Sequence, residues 1–207
     1  MSVPIRLLIA DDQALVRGAL ATLLGLEPDL DVVAQVGTGR EAVERVRGQA
    51  QPGVDVALLD IEMPDGDGLW AAGELASLPG GCRSIIVTTF GRPGYLSRAL
   101  EAGARGFLVK DAPPAELAGA IRKVHAGLRV VDPTLAQESV ILGPNPLTER
   151  EREVLRLARR GLDAPRIAAE LHLGEGTVRN YLSGAIAKTQ SRNRVEAAVA
   201  AEANGWL

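Results

Sequence analysis

The chain is poor in cysteine, histidine and aromatic rings. Its 207 residues include one Cys, two His, two Trp, two Tyr and two Phe. The lone Cys82 excludes an internal disulfide and the thiolate cluster of a structural zinc site. A small buried residue in a reducing compartment is its expected role. So few rings leave the core to Val, Leu, Ile and Ala. Long apolar runs are missing too: no stretch approaches the ~20 residues of a membrane span. The opening MSVPIRLLIADD meets two carboxylates before a signal-type apolar segment can develop. A cytoplasmic protein with no membrane partner is therefore expected. An excess of positive charge is also lacking, since the formal net charge is −3. That excludes nucleic-acid binding over the whole surface and leaves room for a small basic face.

What is present is a globular composition, 46% hydrophobic and 24% charged. It is laid out in two rhythms. Through about residue 128, short apolar runs alternate with helical stretches. Ile5–Ala10, Asp31–Val36, Val54–Leu59, Ser84–Thr88 and Gly106–Val109 have the continuous apolar character of strands buried on both faces. Val16, Ala19, Leu20, Leu23 and Leu24 share one helical face. Gly39–Arg47, Leu69–Leu78, Pro93–Ala102 and Ala115–His125 fill the other gaps. Five strands alternating with five helices predict a doubly wound α/β domain over residues 1–128 with a five-stranded parallel sheet. Its working crevice should lie beyond the carboxyl ends of the strands.

Residues 129–145, punctuated by Pro133, Gly143 and Pro144, are expected to form a linker, with Thr134–Leu142 able to make a short helix. From residue 146 to 207 the pattern is all-helical, with four helices. Thr148 and Glu151 form a T-x-x-E capping box ahead of Val154, Leu155 and Ala158. Asp163 caps a second helix that tolerates Pro165 in its first turn. The turn His172–Leu173–Gly174 leads to a third helix from about Glu175 to Lys188. A fourth runs from about Arg194 to Asn204, and Trp206 is expected to plug the core.

Chemistry gathers where strands end. Asp11 and Asp12 follow the first strand, Asp60 the third, Thr88 ends the fourth and Lys110 follows the fifth. Carboxylates brought together repel one another and call for a cation, and hard oxygen ligands suit Mg²⁺. One carboxylate can then attack a phosphoryl donor while the hydroxyl and the ammonium hold phosphoryl oxygens. Each residue taken singly is a cap, a turn former or a solvated charge; the constellation is what carries the reading.

The segments IADD, LLDIEMPDGDG, IIVTTF and GFLVKD, across roughly residues 4–127, resemble the signature segments of response-regulator receivers, which have a flavodoxin-like fold. The resemblance implies that Asp60 accepts the phosphoryl group from a sensor histidine kinase. It implies that Asp12, Asp60 and the backbone carbonyl of Glu62 hold Mg²⁺, with Asp11 acting mainly through a water. Lys110 would pair with the phosphoryl group, and Thr88 and Phe107 would be the switch pair. Thr89 is the competing hydroxyl, but Thr88 stands at the family's 22-residue step before Lys110. Plain core packing is the other reading of Phe107. Met63–Pro64, Gly66 and Gly68 would shape the adjoining loop. Gln13 stands where many relatives carry His, which leaves the metal ligands intact.

In the C-terminal part, helix, tight turn and helix form a helix-turn-helix pattern, whose second helix enters the major groove of DNA. Outside the apolar stripe of Val178, Leu182 and Ile186, that helix offers Thr177, Arg179, Asn180, Ser183 and Lys188. Arg pairs with guanine and Asn with adenine by two hydrogen bonds each, while Thr177 and Lys188 suit phosphates. From His172 to Arg194 the local charge is +3, from Arg179, Lys188, Arg192 and Arg194 against Glu175. An ordinary solvated helix face would also carry such charges.

LTEREREVL and GTVRNYL, within about residues 145–207, resemble the DNA-binding domain of the LuxR/FixJ class found in NarL-type response regulators. Carried over, Arg179, Asn180 and Ser183 would face bases, and Thr177, Lys188 and Arg194 the backbone. Two departures stand out: Thr189–Gln190 stands where relatives usually have Leu-Gly or a similar pair, and Gly184 sits inside the helix at a cost of roughly 0.5–1 kcal/mol relative to Ala. The whole then looks like a transcriptional regulator that pairs into a dimer on promoter DNA when phosphorylated, with no substrate beyond its own aspartyl phosphate. An aspartate-nucleophile phosphatase is the enzymatic rival, but Glu62 stands where it needs a second Asp. A regulator independent of phosphate is the other rival.

Overall fold

The computed structural model describes residues 3–48, 53–89 and 91–207. Met1 and Ser2 of the opening segment and Phe90 of IIVTTF lie outside the described residues. The chain divides into two compact units, Met1–Gly91 with Leu96–Gln137, and Arg92–Tyr95 with Glu138–Leu207.

Along the chain run β1 (Ile5–Ala10), α1 (Ala14–Leu24), β2 (Leu30–Val36), α2 (Gly39–Arg47), β3 (Val56–Leu59), α3 (Gly68–Ser77), β4 (Arg83–Thr88), α4 (Pro93–Glu101), β5 (Gly106–Val109), α5 (Pro114–His125), β6 (Val130–Val131) and α6 (Pro133–Leu142), all in the first unit save the start of α4 and the end of α6. The sheet is parallel throughout, in the order β2-β1-β3-β4-β5-β6. Among the described residues it has six strands where the sequence predicts five. The sixth pairs Val130 and Val131 with Gly106 and Phe107. Two residues are too few to show any periodicity, so the strand is invisible in a sequence pattern.

Strand residues alternate between two packed faces. Leu7, Ile9, Val56, Leu58, Ile85, Val87 and Leu108 share a core with Leu24 of α1 and Leu117, Ile121 and Val124 of α5. Leu8, Ala57, Leu59, Ile86 and Phe107, also buried, occupy the alternate positions. The winding reverses between β1 and β3, whose neighbours lie in opposite directions, and this opens a crevice at their carboxyl ends.

In the second unit α7 (Glu149–Arg159), α8 (Ala164–Leu171), α9 (Glu175–Lys188) and α10 (Arg194–Ala203) enclose a separate core. Leu147, Val154, Leu155, Ile167, Val178, Leu182, Ala197 and Trp206 fill it. The capping box is formed at both ends: the Thr148 hydroxyl accepts from the Glu151 N–H, and the Glu151 carboxylate accepts from the Thr148 N–H. Asp163 caps α8 through the N–H of Arg166.

Candidate functional site

Backbone pairing assembles the pocket before any side chain acts. The β1–β3 register sets Ala10 beside Leu59, and the β4–β5 register sets Thr88 beside Val109. One further rung continues each ladder: Asp60 N–H donates to the Ala10 carbonyl at 2.9 Å, and Lys110 N–H donates to the Thr88 carbonyl at 2.8 Å. Asp11, Asp60, Thr88 and Lys110 are thereby carried to one rim.

There the side chains converge. One oxygen from each of Asp11, Asp12 and Asp60 lies within 4.8 Å of the others. Lys110 Nζ sits 2.8 Å from Asp11 Oδ2 and 3.1 Å from Asp60 Oδ2. Asp11, Asp60 and Thr88 are buried, whereas Asp12 is exposed at the mouth. Burial lifts the Asp60 carboxyl above its ordinary value, against the pull of Lys110 and with some help from Asp11. The Lys110 ammonium would be depressed by burial, but its two carboxylate partners outweigh that and hold it above the usual lysine value.

The surrounding loop depends on close backbone approach. Asp60 Oδ1 accepts from the Ile61 N–H at 2.9 Å, and the Ile61 carbonyl accepts from the Gly68 N–H at 3.1 Å. A Cβ at Gly68 would lie 2.0 Å from the Asp60 carbonyl oxygen, and one at Gly39 would lie 2.0 Å from that of Gly66. Gly66 has φ +96°, which an L side chain rarely adopts. Asp67 caps α3 through the Trp70 N–H. Met63 is buried in this loop, and Glu62 is exposed two residues after Asp60. Thr89 is exposed, in contrast to Thr88, and Phe107 is wholly buried with its ring inside. Arg17, which sequence reasoning passed over, donates Nη1 to the Asp11 carbonyl. Its position in α1 one turn after Gln13 was the available signal.

Three carboxylates against one ammonium leave the rim with surplus negative charge on hard oxygens. Two of the acids are buried and the third opens to solvent. That donor set fits a Mg²⁺ ion with open water positions, held by Asp11, Asp12 and Asp60.

The second unit presents α9 after the turn His172–Leu173–Gly174, in which His172 takes φ +54° to end α8. Thr177, Arg179, Asn180 and Ser183 are exposed, while Val178, Leu182 and Ala185 are buried. Arg179 pairs with Glu175 at 3.2 Å across one turn, and Arg194 lies at the start of α10, half-buried. Lys188 Nζ is held at 2.7 Å by Oε2 of Glu151, so its charge is partly spent within the fold. Glu151 is the residue whose role sequence reasoning underestimated: one carboxylate closes the capping box and also ties α7 to α9. Gly184 makes room for it, since a Cβ there would lie 2.7 Å from Glu151 Oε1. Gln190 takes φ +52°, the left-handed position that the usual glycine would occupy without strain.

Comparison with known proteins agrees with both halves. Residues 7–122 match the response regulator receiver domain model, and residues 145–201 match that of bacterial regulatory proteins of the luxR family. The chain is 48% identical over 203 residues to the transcriptional regulatory protein DesR of Bacillus subtilis (strain 168), covering 98% of this chain and 99% of that one. It resembles the crystal structure of the response regulator ChrA of a heme-sensing two-component system at 31% identity and TM-score 0.57, with all of each chain covered. A CheX–CheY–BeF3–Mg²⁺ complex from Borrelia burgdorferi matches at 25% identity and TM-score 0.54, covering 59% of this chain and 90% of that one. With an acidic pocket at the switch point of its sheet and a helix-turn-helix later in the sequence, the chain belongs to the LuxR-type response regulators, the transcriptional regulators of two-component systems.

Proposed function

We propose that Asp60 is the phosphoacceptor, and that its phosphorylation by a sensor histidine kinase drives two chains to pair on promoter DNA. The observation that supports this most is the Lys110 ammonium bridging Asp11 and Asp60 at 2.8 and 3.1 Å beside a third carboxylate. Bound Mg²⁺ supplies charge neutralisation for the transferring phosphoryl oxygens. Asp60 Oδ2 forms the new bond to phosphorus as the bond from phosphorus to the kinase imidazole nitrogen breaks, and the imidazole leaves neutral, keeping the proton on its other ring nitrogen. Lys110 then exchanges its contact with the Asp60 carboxylate for one with a phosphoryl oxygen, staying anchored on Asp11. The Thr88 hydroxyl takes a second oxygen, with Phe107 packed inward behind it. Hydrolysis of the aspartyl phosphate resets the pocket, and no other substrate is turned over.

The added charge biases the surface of α4, β5 and α5, where the second chain pairs. Two copies of α9 then span half-sites about one helical turn apart. Arg179, Asn180 and Ser183 face bases; Thr177, Arg194 and the outer side of Lys188 face phosphates. The protein works in the cytoplasm, where kinase and DNA are both within reach. No helix among the described residues is long and apolar enough to cross a membrane.

The test is intact-mass spectrometry after incubation with a small phosphodonor. One phosphoryl group should add with Mg²⁺ present, none should add in its absence, and none to Asp60→Ala. Label on the Asp60→Ala chain would refute the assignment. In DNA binding, Arg179→Ala should cost about 1–3 kcal/mol on the selected sequence, with discrimination lost at one base pair.

A further inference from the structure

The opposite edge of the receiver sheet carries a second charged feature that the phosphoacceptor pocket does not use. Three neighbouring strands begin there, and parallel pairing aligns their first residues. Ile85 pairs with Gly106 and Gly106 with Val130, so the residues just before them, Ser84, Arg105 and Arg129, lie side by side. Backbone bonds fix the alignment: Arg105 N–H donates to the Ser84 carbonyl at 2.8 Å, and Val130 N–H to the Arg105 carbonyl at 3.0 Å. Arg83, the first residue of β4, joins them. These residues open onto a cavity of about 330 Å³ that Leu75 and Leu78, at the end of α3, also line.

The arginines of this cavity have no carboxylate among the described residues to balance them. Arg6, Arg40, Arg47 and Arg122 of the same unit are each held by a carboxylate. Among the described residues Arg105 and Arg129 have no such partner, and Arg83 donates only to the His125 carbonyl, at 2.9 Å. No acidic side chain is among the described residues that line the cavity. Like charges on adjacent strands repel and are normally avoided. Here the fold sets the arginines Arg105 and Arg129 beside one concavity, with Arg83 in its lining and its guanidinium on the His125 carbonyl, within a chain of net negative charge. Guanidinium forks match phosphoryl oxygens with paired hydrogen bonds, and two forks beside one space favour an anion with more than one phosphoryl group.

We propose that this cavity, lined by Arg83, Arg105 and Arg129, is a binding site for a compact diphosphate-class anion. Its place, at the end of the sheet remote from Asp60, makes it independent of phosphoacceptance and leaves the Mg²⁺ pocket free.

Inorganic pyrophosphate is the probe, titrated calorimetrically into the full chain in metal-free buffer, with amide NMR spectra recorded alongside. Saturable binding of one pyrophosphate per chain is expected, with the amides of Ser84, Arg105 and Arg129 moving. Orthophosphate should bind at least about tenfold more weakly, because it engages fewer guanidinium groups. Arg105→Gln combined with Arg129→Gln should weaken pyrophosphate at least about tenfold, whereas Arg150→Gln, at a residue paired with Glu153, should leave it unchanged. Both substituted side chains are exposed, so the fold should survive. Unaltered phosphorylation of Asp60 in the double variant confirms that it has. Absence of saturation, equal binding by the double variant, or equal affinity for orthophosphate would each overturn the proposal.

Discussion

Replacing Gly68 with alanine tests how the loop sets Asp60. The new Cβ would lie 2.0 Å from the Asp60 carbonyl oxygen, 2.8 Å from its carbonyl carbon and 3.3 Å from Ile61 Cα. Carbon atoms pack best at about 3.5–4.0 Å from their neighbours, so the start of α3 must withdraw by on the order of 1 Å or more. All three obstructing atoms are backbone, and no side-chain rotation relieves the clash. Overpacking of this kind costs about 1–3 kcal/mol. The Gly68–Ile61 hydrogen bond, lost in the retreat, adds about 1 kcal/mol. Against this, alanine gains about 0.5–1 kcal/mol over glycine in a helix, and less at its first residue. The net loss is about 2–3 kcal/mol, which at ordinary urea sensitivities lowers the unfolding midpoint by about 1–2 M. Trp70 in α3 reports this transition by fluorescence once Trp206→Phe has silenced the other tryptophan. Phosphorylation by a small donor should slow about 100-fold as Asp60 shifts. Gly119→Ala is the control, since open space surrounds that position in α5; it should raise stability by about 0.5–1 kcal/mol. A Gly68→Ala chain that unfolds at the wild-type urea concentration would refute the reasoning.

Two substitutions in α9 should have opposite signs. Gly176→Ala meets nothing within 4 Å and should stabilise the C-terminal unit by about 0.5 kcal/mol. Gly184→Ala displaces a carboxylate pinned by Thr148 and Lys188, and should destabilise it by about 1 kcal/mol. Urea titrations followed by Trp206 separate the two outcomes, and matching shifts would contradict this account of Gly184. Burial works to raise the Glu151 carboxyl, but Lys188 and Thr148 outweigh it and hold it below its ordinary value. Its contribution to stability is thus present above the unfolded-state value and lost as pH falls through the folded one. Glu151→Gln should therefore destabilise the C-terminal unit at neutral pH and flatten its acid-side stability profile; an unchanged profile would deny the pair its role. The Cys82 thiol is pushed up to about 12, chiefly by burial and then by Asp55. It should react with a disulfide reagent at neutral pH only as fast as the receiver opens, and immediate stoichiometric labelling of the native chain would show otherwise.

Much of this was legible in the sequence because parallel strands buried on both faces leave unbroken apolar runs, and the residues ending those runs must share a rim. Ile5–Ala10 and Gly106–Val109 are strands at the bounds their composition predicts. Strand starts were less visible. β3 begins at Val56 rather than Val54, because Asp55 turns to Arg6 with its carboxylate 2.9 Å from the Arg6 N–H. The linker hid β6 for a related reason: Val130 and Val131 become a strand only by pairing with β5, and nothing local to them signals it. α6 covers Pro133–Leu142, where the sequence had allowed a short helix over Thr134–Leu142 within an expected linker.

The limits at the two sites differ in kind. In the receiver, the chemistry sits on residues fixed by backbone ladders, so identity and position at a strand end suffice to assemble Asp11, Asp60 and Lys110. In α9 the outcome turns on a residue 37 positions away from Lys188 in sequence. Charge counting assigns Lys188 to DNA because it sees a cation on a helix face. It also marks Gly184 as a weakness, because in isolation glycine costs a helix roughly 0.5–1 kcal/mol. Both readings change once Glu151 is in place. The missing Cβ at 184 is what admits the carboxylate of α7, and the carboxylate is what holds Lys188. A flaw in local propensity and a pairing at long range are thus one feature, and a pattern read one helix at a time cannot join them.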